Sequence, residues 1–405
     1  MAFDRIPTLD DVAVKGKTLL MRIDVNSSLD SSGKIIDNPR FDSHALTLNE
    51  LISNGAKIVL LAHQGRPGDK EFRSLNEHAQ LLGEKVGRTV EFVPDVAGPT
   101  AIEKIKELNE CGVVLLENVR FLAEEMVEKT PEEHSKDHFV QKLASVCDIF
   151  VNDAFSMCHR SHASMVGFTP LLPSYAGRAL QRELQAADKL MHTSSRPCVF
   201  LLGGVKFKET LDMIEALCKR NGVDHILTMG ALSLLLLKAK GINLGEDCDK
   251  HLSELGGDSF MPVAKQLVDK YRDKIATPLD VAVEVDEKRK EYSITDLPVT
   301  GAVKDIGVRT AAAYGGILKN CNCVFAKGAA GEFENAKFSG GTKSMCRALT
   351  ETTAFTFVAG GSLPSAFELF AFDKSKITHF STAGGALLEY LAGNKLPGVE
   401  ALRKS

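Results

Sequence analysis

Short apolar runs alternate with helix-length amphipathic stretches along this chain, and this alternation constrains the fold more than any other feature. Runs of this length are typical of buried parallel strands, and the amphipathic stretches are typical of helices that cover a sheet. We therefore predict an α/β fold with two doubly wound parallel-sheet domains facing each other across a hinged cleft. The runs lie at residues 18–21, 57–61, 113–116 and 149–151 in the first half and at 199–202, 225–228, 323–326 and 355–358 in the second.

Chain length and one break in the pattern predict the domain boundaries. A chain of 405 residues is too long for one ordinary core and fits about two domains. Prolines 170 and 173 interrupt the pattern, and a helix is then predicted over 179–191. The predicted parts are an N-terminal domain at 1–172, a connection at 173–191 and a C-terminal domain at 192–389.

The C-terminal tail is too short to be a domain of its own. Residues 387–391 are predicted to be helical, and Pro397 and Gly398 are predicted to end this stretch. We expect the tail at 390–405 to pack back on the N-terminal domain.

Composition limits the partners. The net charge of −4 gives no general attraction to nucleic acid or membrane, and the most apolar run, 231–237, stops at Lys238. The N-terminus lacks the apolar core of a signal peptide. The nine cysteines include no C-x-x-C pair, and Cys321 and Cys323 are expected to face one side of a core. These features predict a cytoplasmic protein with reduced thiols that binds neither nucleic acid nor membrane.

Polar side chains follow each predicted strand of the first half. In parallel α/β sheets, ligands gather where the strands end at their carboxyl edge. Arginine forks bind phosphate and carboxylate, a histidine adds a donor, and Asp or Asn oxygens accept from hydroxyls. A single arginine is more often a surface ion pair, but repetition at one edge favours a converging anion site. Its predicted members are Asp24, Asn26, Arg40, His63, Arg66, Arg120 and Arg160.

The strand ends of the second half carry glycine pairs instead. The pairs are Gly203–Gly204, Gly360–Gly361 and Gly384–Gly385, and Lys206 follows the first of them. Glycine lets backbone N–H groups approach phosphate closely, although it also serves plain turns. We predict a polyphosphate site here. The chain has neither a G-x-x-x-x-G-K-[ST] loop nor any G-x-G, so a P-loop or a dinucleotide-binding dehydrogenase is not supported.

Several motifs, in the same order along the chain, resemble those of the phosphoglycerate kinase family. The sequence of one of them, HQGRPGD at 63–69, resembles the archaeal members. The first half has RIDVN at 22–26, HQGRPGD at 63–69, LENVRF at 116–121 and VNDAF at 151–155 leading to His159 and Arg160. The second half has LGGVK at 202–206, DIG at 305–307 and STAGGA at 381–386. The resemblance implies reversible phosphoryl transfer between 1,3-bisphosphoglycerate and ADP, giving 3-phosphoglycerate and ATP. It also implies a monomer that has no metal bound to its own residues and receives Mg²⁺ with the nucleotide.

The resemblance also implies residue roles. Arg40 and Lys206 are expected to be catalytic. The substrate-binding residues are expected to be Asp24, Val25, Asn26, Arg40, His63, Gln64, Gly65, Arg66, Arg120 and Arg160, all in the N-terminal domain. The nucleotide-binding residues are expected to be Lys206, Glu334, Gly360, Gly361, Ser362, Leu363 and Pro364.

The nucleotide half departs from the family pattern. Lys327 replaces an asparagine, Leu363 and Pro364 replace a metal-capable acid and a threonine, and Thr210 replaces a second lysine. Loss of the acid should weaken the grip on Mg²⁺, and our hypothesis is that Lys327 supplies part of the missing charge. Two alternatives therefore stay open: a non-catalytic 3-phosphoglycerate-binding homologue, and a kinase with another phosphoryl donor.

Overall fold

The structure is a computed structural model that describes residues 6–191 and 196–403. It divides into two compact units. Unit 1 comprises Met1–Gln185 and Lys395–Ser405, and unit 2 comprises Ala186–Asn394. Each unit contains a six-stranded parallel sheet, which confirms the predicted α/β class with two domains. Among the described helices, none is long and apolar enough to cross a membrane.

Unit 1 is built on a sheet with the strand order β3-β4-β2-β1-β5-β6. Its strands are β1 (Thr18–Arg22), β2 (Lys57–Leu61), β3 (Glu91–Val93), β4 (Val113–Leu116), β5 (Ile149–Asn152) and β6 (Ser174–Ala176). Its helices are α1 (Pro39–Ser53), α2 (Asn76–Val86), α3 (Pro99–Glu107), α4 (Pro131–His134), α5 (His138–Ala144), α6 (Ala163–Val166) and α7 (Arg178–Met191), the last of which runs on into unit 2.

The central strand β1 shows why apolar residues run continuously through the predicted strands. Leu19 and Met21 pack into one hydrophobic core, while Leu20 packs into a second core on the other face. A parallel strand covered by helices on both faces needs apolar side chains at every position. Arg22, the last residue of β1, pairs in register with Leu61 of β2 and Asn152 of β5. The segments that follow these three strands therefore leave the sheet at one edge.

Unit 2 has a second parallel sheet with the order β15-β14-β13-β7-β8-β9 and a small antiparallel sheet with the order β11-β10-β12. Its strands are β7 (Cys198–Leu202), β8 (His225–Thr228), β9 (Ile275–Ala276), β10 (Asp280–Val285), β11 (Lys288–Ser293), β12 (Val303–Ile306), β13 (Cys323–Lys327), β14 (Phe355–Ala359) and β15 (His379–Phe380). Its helices are α8 (Phe207–Lys219), α9 (Gly230–Ala239), α10 (Glu246–Glu254), α11 (Met261–Lys270), α12 (Val308–Lys319), α13 (Gly340–Glu351), α14 (Ser362–Leu369) and α15 (Gly385–Leu391).

The sequence missed the short and the polar strands. Strands β3, β6 and β9 are too short to show a periodicity, and β11 reads KRKEYS, whose charged residues hide a strand exposed on one side. The small antiparallel sheet was therefore not predicted.

The predicted helix ends were partly wrong. The helix predicted over 179–191 is α7, but Pro397 does not end a helix. It begins α16 (Pro397–Arg403), since proline lacks only an N–H that the first helical turn leaves unpaired anyway. The Gly398 N–H donates to the Cys158 carbonyl, and a Cβ at position 398 would lie 3.0 Å from the Cys158 Cα. Residues from Lys395 onward thus belong to unit 1.

Candidate active site

The first site lies at the carboxyl edge of the unit 1 sheet and is centred on Asp24. Arg40 Nη1 lies 3.2 Å from Asp24 Oδ2 and donates to the Asn26 carbonyl at 3.0 Å. Burial alone would raise the pKa of Asp24, but Arg40, then His63 and a hydrogen bond from Ser156, hold it well below its usual range. Asp24 is therefore a carboxylate with a guanidinium already in place beside it.

Arg40 is placed by the start of α1. Pro39 occupies the first turn, and the Asn38 side chain accepts from the Arg40 N–H at 3.0 Å. An Asn cap followed by proline is a strong helix start, so the sequence fixes where α1 begins. Arg40 then projects from the first turn toward the loop after β1, where it meets Asp24.

Arg120 follows β4 in the short 3-10 turn Val119–Phe121 and is almost entirely buried, with 8% of its surface exposed. Its Nη1 donates to the Gly65 carbonyl at 2.5 Å, but its buried Nε has no hydrogen-bond partner among the described residues. Burial, and then the charge of Arg22, lower the pKa of Arg120 to about 10, which still leaves it cationic at neutral pH. A buried cation with an unpartnered donor is suited to an anionic ligand.

The loop after β2 carries His63, Gln64 and Gly65. Burial lowers the pKa of His63 well below its usual value, so its ring is neutral at physiological pH. The Gly65 N–H donates to Asn26 Oδ1 at 2.8 Å, and Gly65 has a φ of +63° with no room for a Cβ, which would lie 2.5 Å from the Phe72 nitrogen. Glycine is therefore the residue this position requires.

Two of the predicted binding residues have their side chains committed to the fold. Gln64 accepts from the Ser27 N–H at 2.9 Å and donates to the Ser27 carbonyl at 2.7 Å. Val25 is fully buried in a hydrophobic core. Only the backbone of either residue remains to meet a ligand.

Arg66 and Arg160 are exposed and are not drawn into the cluster by hydrogen bonds. The nearest ionic partner of Arg160 is Glu128, whose Oε1 lies 3.8 Å from its Nη1. Their charges nevertheless reach the site, because Arg66 lowers the pKa of Arg120 and Arg160 lowers that of His162, after burial and other cations. The structure thus brings Asp24, Asn26, Arg40, His63, Gly65 and Arg120 together and leaves these two arginines at the rim.

Sequence reasoning did not assign Arg22, Ser156 or His44 to the site. The Ser156 hydroxyl donates to Asp24 Oδ2, His44 Nε2 accepts from the Asp24 N–H at 3.1 Å, and Arg22 contacts His63. Ser156 and Arg22 stand next to strand ends, so their position was a usable signal. His44 lies inside α1, where nothing in the sequence separates it from an ordinary core histidine.

The second site is a cavity of about 490 Å³ in unit 2, lined by the loops after β7, β13 and β14. Glycine backbones form much of its wall. The Gly203 N–H donates to the Lys327 carbonyl at 2.7 Å, and a Cβ on Gly328, whose φ is +84°, would lie 2.3 Å from the Gly203 carbonyl carbon. Two backbones approach this closely only where both residues lack a side chain.

Three lysines line this cavity, and one of them, Lys304, is already paired with Glu284 and Glu332, which leaves Lys206 and Lys327. Lys206 directly precedes α8, and Lys327 is the last residue of β13. Burial lowers the pKa of Lys327, and the charge of Lys206 lowers it further, while Glu209 opposes the shift. The backbone N–H groups at the start of α14 follow Gly360 and Gly361, which also line the cavity with Ser362 and Glu334. Cations beside a helix N-terminus suit a polyphosphate.

Leu363 and Pro364 do not line this cavity. Leu363 is 0% exposed and packs in the hydrophobic core with Phe367 and Met345, because it faces inward from the first turn of α14. Its side chain therefore does not face the cavity, and the nucleotide-binding role expected for this residue remains a prediction. Thr210 is also buried, and its hydroxyl donates to the Lys206 carbonyl at 2.8 Å.

The residues around the cavity do not fit a metal ion held by the protein. Asp305 is tied to Arg289 Nη1 and to the Gly341 N–H, both at 2.8 Å, and no group of three or more His, Cys, Asp or Glu suited to a metal occurs within 6–191 and 196–403. Lys206 and Lys327 line the same cavity and can supply positive charge there. Any Mg²⁺ here must be held chiefly by the nucleotide phosphates.

Comparisons with known proteins agree with one another over nearly the whole chain. A family model described as phosphoglycerate kinase matches residues 9–394. The phosphoglycerate kinase of Saccharolobus solfataricus is 43% identical over 401 residues, covering 99% of this chain and 97% of that protein. That of Methanothermus fervidus is 38% identical, covering 98% and 97%. The crystal structure of phosphoglycerate kinase from Pyrococcus horikoshii OT3 has a TM-score of 0.91 at 35% identity and covers 98% of each chain.

Proposed function

This chain belongs to the phosphoglycerate kinase family, and from that premise we propose how its two sites divide the reaction. It is a glycolytic phosphotransferase with a carboxyl group as acceptor and ATP and ADP as substrates. The reaction moves a phosphoryl group reversibly between 1,3-bisphosphoglycerate and ADP, giving 3-phosphoglycerate and ATP. Unit 1 is the proposed acceptor site, and the cavity of unit 2 is the proposed donor site.

One observation carries the acceptor proposal: the buried Arg120 has a donor with no partner in the described protein. Burying an unpartnered guanidinium N–H costs about 1–3 kcal/mol, which a bound anion would recover. We propose that Arg120, with Arg66 and Arg160 at the rim, holds the phosphate of 3-phosphoglycerate. Asp24 and Asn26 are the proposed partners of its hydroxyl group, and His63 adds a neutral donor.

The transferred group needs no general base. The acceptor is a carboxylic acid, which is already ionised at neutral pH, so its oxygen attacks the γ-phosphoryl group of ATP without giving up a proton. Catalysis is then positioning and charge stabilisation on the moving phosphoryl group. We assign this charge stabilisation to Arg40 from unit 1 and Lys206 from unit 2.

Because the two sites belong to different units, transfer requires the units to bring their ligands together and to exclude water. Water would otherwise hydrolyse the acyl phosphate. We propose that the ends of α7 act as the hinge, since the boundary between the units falls within this helix.

In the donor site we propose that Lys327 supplies positive charge to the nucleotide phosphates. Magnesium bound to those phosphates would add Lewis-acid charge, but the described part of the chain offers it no carboxylate cluster. Lys206 and Lys327 then share the remaining negative charge with the N-terminus of α14. Glu334 is the proposed partner of the ribose.

A coupled assay with 1,3-bisphosphoglycerate and ADP tests the proposal. We expect stoichiometric 3-phosphoglycerate and ATP, and the named relatives favour this outcome over both alternatives. Binding of 3-phosphoglycerate without turnover would instead identify a non-catalytic homologue. Turnover with another nucleoside diphosphate, but not with ADP, would identify a different phosphoryl donor. Light scattering of the purified chain tests the proposed monomer.

A further inference from the structure

The ring of His63 lies between the Arg22 guanidinium and the Asp24 carboxylate. The distances to these two groups indicate which ring nitrogen carries the proton. Nδ1 of His63 is 3.0 Å from Arg22 Nη2 but 4.0 Å from Asp24 Oδ1. The first distance is a hydrogen bond, and the second is too long for one. Since a guanidinium can only donate, Nδ1 must be the acceptor and must carry no proton.

We propose that Arg22 is a positioning residue that holds His63 as the neutral tautomer with its proton on Nε2. This inference rests on the proposed acceptor site. Within the described residues His63 makes no hydrogen bond through Nε2, so this N–H is the one available to an anionic ligand. Arg22 acts through His63 rather than on the ligand, because its own side chain is 0% exposed.

The other donors of Arg22 are occupied, which fixes the direction of Nη2. Its Nε donates to Ser164 Oγ at 2.8 Å, and its Nη1 donates to the backbone carbonyls of Ile23 and, at 3.4 Å, Leu61. These acceptors hold the guanidinium plane in place. Nη2 therefore points at His63 as a consequence of the surrounding fold.

A buried counter-charge keeps Arg22 in this position. Glu125 is fully buried, and it accepts from the Ser164 hydroxyl at 2.7 Å and from the Ser164 N–H at 2.8 Å. Ser164 thus bridges the cation and the anion. Because Glu125 neutralises Arg22 from behind, the guanidinium does not need to turn toward Asp24.

The charges around His63 also oppose a second proton. Burial lowers its pKa most; Asp24 opposes the shift, and Arg22 on β1, Arg120 after β4 and Arg40 on α1 lower the pKa further. Protonation of Nδ1 would also place an N–H against the Arg22 donor. His63 should therefore remain a neutral donor, and its state should not change with pH between about 5 and 8.

Nitrogen-15 NMR of the histidine-labelled full-length protein tests the tautomer directly and without turnover. The signals of the His63 ring nitrogens are identified as those missing from the spectrum of His63→Gln. We expect a deprotonated Nδ1, a protonated Nε2 and no titration of His63 from pH 5 to 8. A proton on Nδ1, or a titration midpoint near 6.5, would overturn the proposal even if the protein is an active kinase.

A matched pair of variants tests the consequence for binding. A glutamine amide can place an N–H where Nε2 stands, whereas the shorter asparagine can replace only Nδ1. We expect His63→Asn to raise KM for 3-phosphoglycerate about 10-fold more than His63→Gln, which is the loss of one hydrogen bond to a charged ligand. Equal effects, or a larger effect for His63→Gln, would contradict the assigned tautomer.

Removal of Arg22 should allow His63 Nδ1 to take up a proton, because the hydrogen bond that Nδ1 accepts is lost. The double variant Arg22→Met/Glu125→Gln removes both buried charges together, so neither is left uncompensated. We expect the pKa of His63 to rise by NMR titration, since Asp24 remains beside it. If His63 still did not titrate in the folded double variant, the proposed role of Arg22 in holding the His63 tautomer would be excluded. The wild-type spectrum decides the tautomer if this variant does not fold.

Discussion

The proposed acceptor site and the proposed donor cavity offer an anion different kinds of surroundings. In unit 1, arginine side chains are held by hydrogen bonds and one ion pair: Arg40 with Asp24, Arg22 with the neutral His63, and Arg120 with a backbone carbonyl. In unit 2, glycine backbones shape the cavity, and Lys206 and Lys327 supply positive charge. A site made of interlocked side chains depends on each residue type, whereas a backbone site depends on space and tolerates changes in side chain.

The largest effect should come from Arg40→Ala, which tests the division of labour between the two sites. Loss of this guanidinium should lower kcat about 10²- to 10³-fold, because it removes charge stabilisation of the moving phosphoryl group. The dissociation constant for ADP, measured by calorimetry, should not change. The exposed Arg88→Ala, which loses only a bond to the Cys111 carbonyl, serves as the control. Weakened ADP binding in Arg40→Ala would contradict the separation of the sites.

Leu363→Asp tests whether a carboxylate at this position could bind Mg²⁺ in the donor cavity. This carboxylate would lie in the hydrophobic core, so we expect a loss of about 3 kcal/mol in the free energy of unfolding, measured in urea. The Mg²⁺ concentration for half-maximal turnover should not fall. Ser362→Asp is the matched control, because Ser362 lines the cavity and begins α14, where an acid is tolerated. A Leu363→Asp protein of unchanged stability would show that the side chain can leave the core.

Gly328→Ala should damage the donor cavity alone. The new Cβ would lie 2.3 Å from the Gly203 carbonyl carbon at a φ of +84°, so the two loops must separate. We expect a stability loss of about 2 kcal/mol and weaker ADP binding, with 3-phosphoglycerate binding unchanged. Gly316→Ala in α12 has no atom within 4 Å of its Cβ and should be neutral or slightly stabilising. Equal behaviour of the two variants would refute the close approach.

The smallest expected effect is that of Lys327→Asn, and it concerns Mg²⁺ and pH. Removal of this charge should raise the Mg²⁺ concentration for half-maximal turnover about 10-fold, since the metal must then neutralise more phosphate. Lys343→Asn, an exposed lysine on α13, is the control. Identical Mg²⁺ dependence in wild type and Lys327→Asn would exclude the proposed role.

The same lysine gives the wild type a pH signature. Burial lowers the pKa of Lys327 in the free protein, and bound phosphate should raise it again. At a pH near this lowered pKa, nucleotide binding should therefore take up a proton, and ADP affinity should fall as pH rises through it. Calorimetry in two buffers of different ionisation enthalpy would measure this uptake, and Lys327→Asn should lack it.

The difference between the sites also explains what sequence reasoning found. Asp24, His63 and Arg120 were identified because their residue types follow strand ends, where the sheet brings them together, whereas Arg40 lies in the first turn of α1. The donor loops were predicted from glycine pairs at strand ends, and the resemblance added Leu363. Neither signal shows that the Leu363 side chain packs in the core, since a motif does not show which way the first turn of a helix faces. Gln64 was assigned to binding although its side chain is used in the fold.

The sequence by itself determined the two parallel-sheet domains, the cluster of polar residues at the first sheet edge and the glycine loops of the second. Strand periodicity and residue type are local properties, so they can be read from residues that are neighbours in the sequence. Only the tertiary structure decided that Arg22 faces His63 and Glu125 is linked to it through Ser164, and that Lys327 shares a cavity with Lys206. Those relations join residues distant in sequence, and they depend on how helices and strands pack.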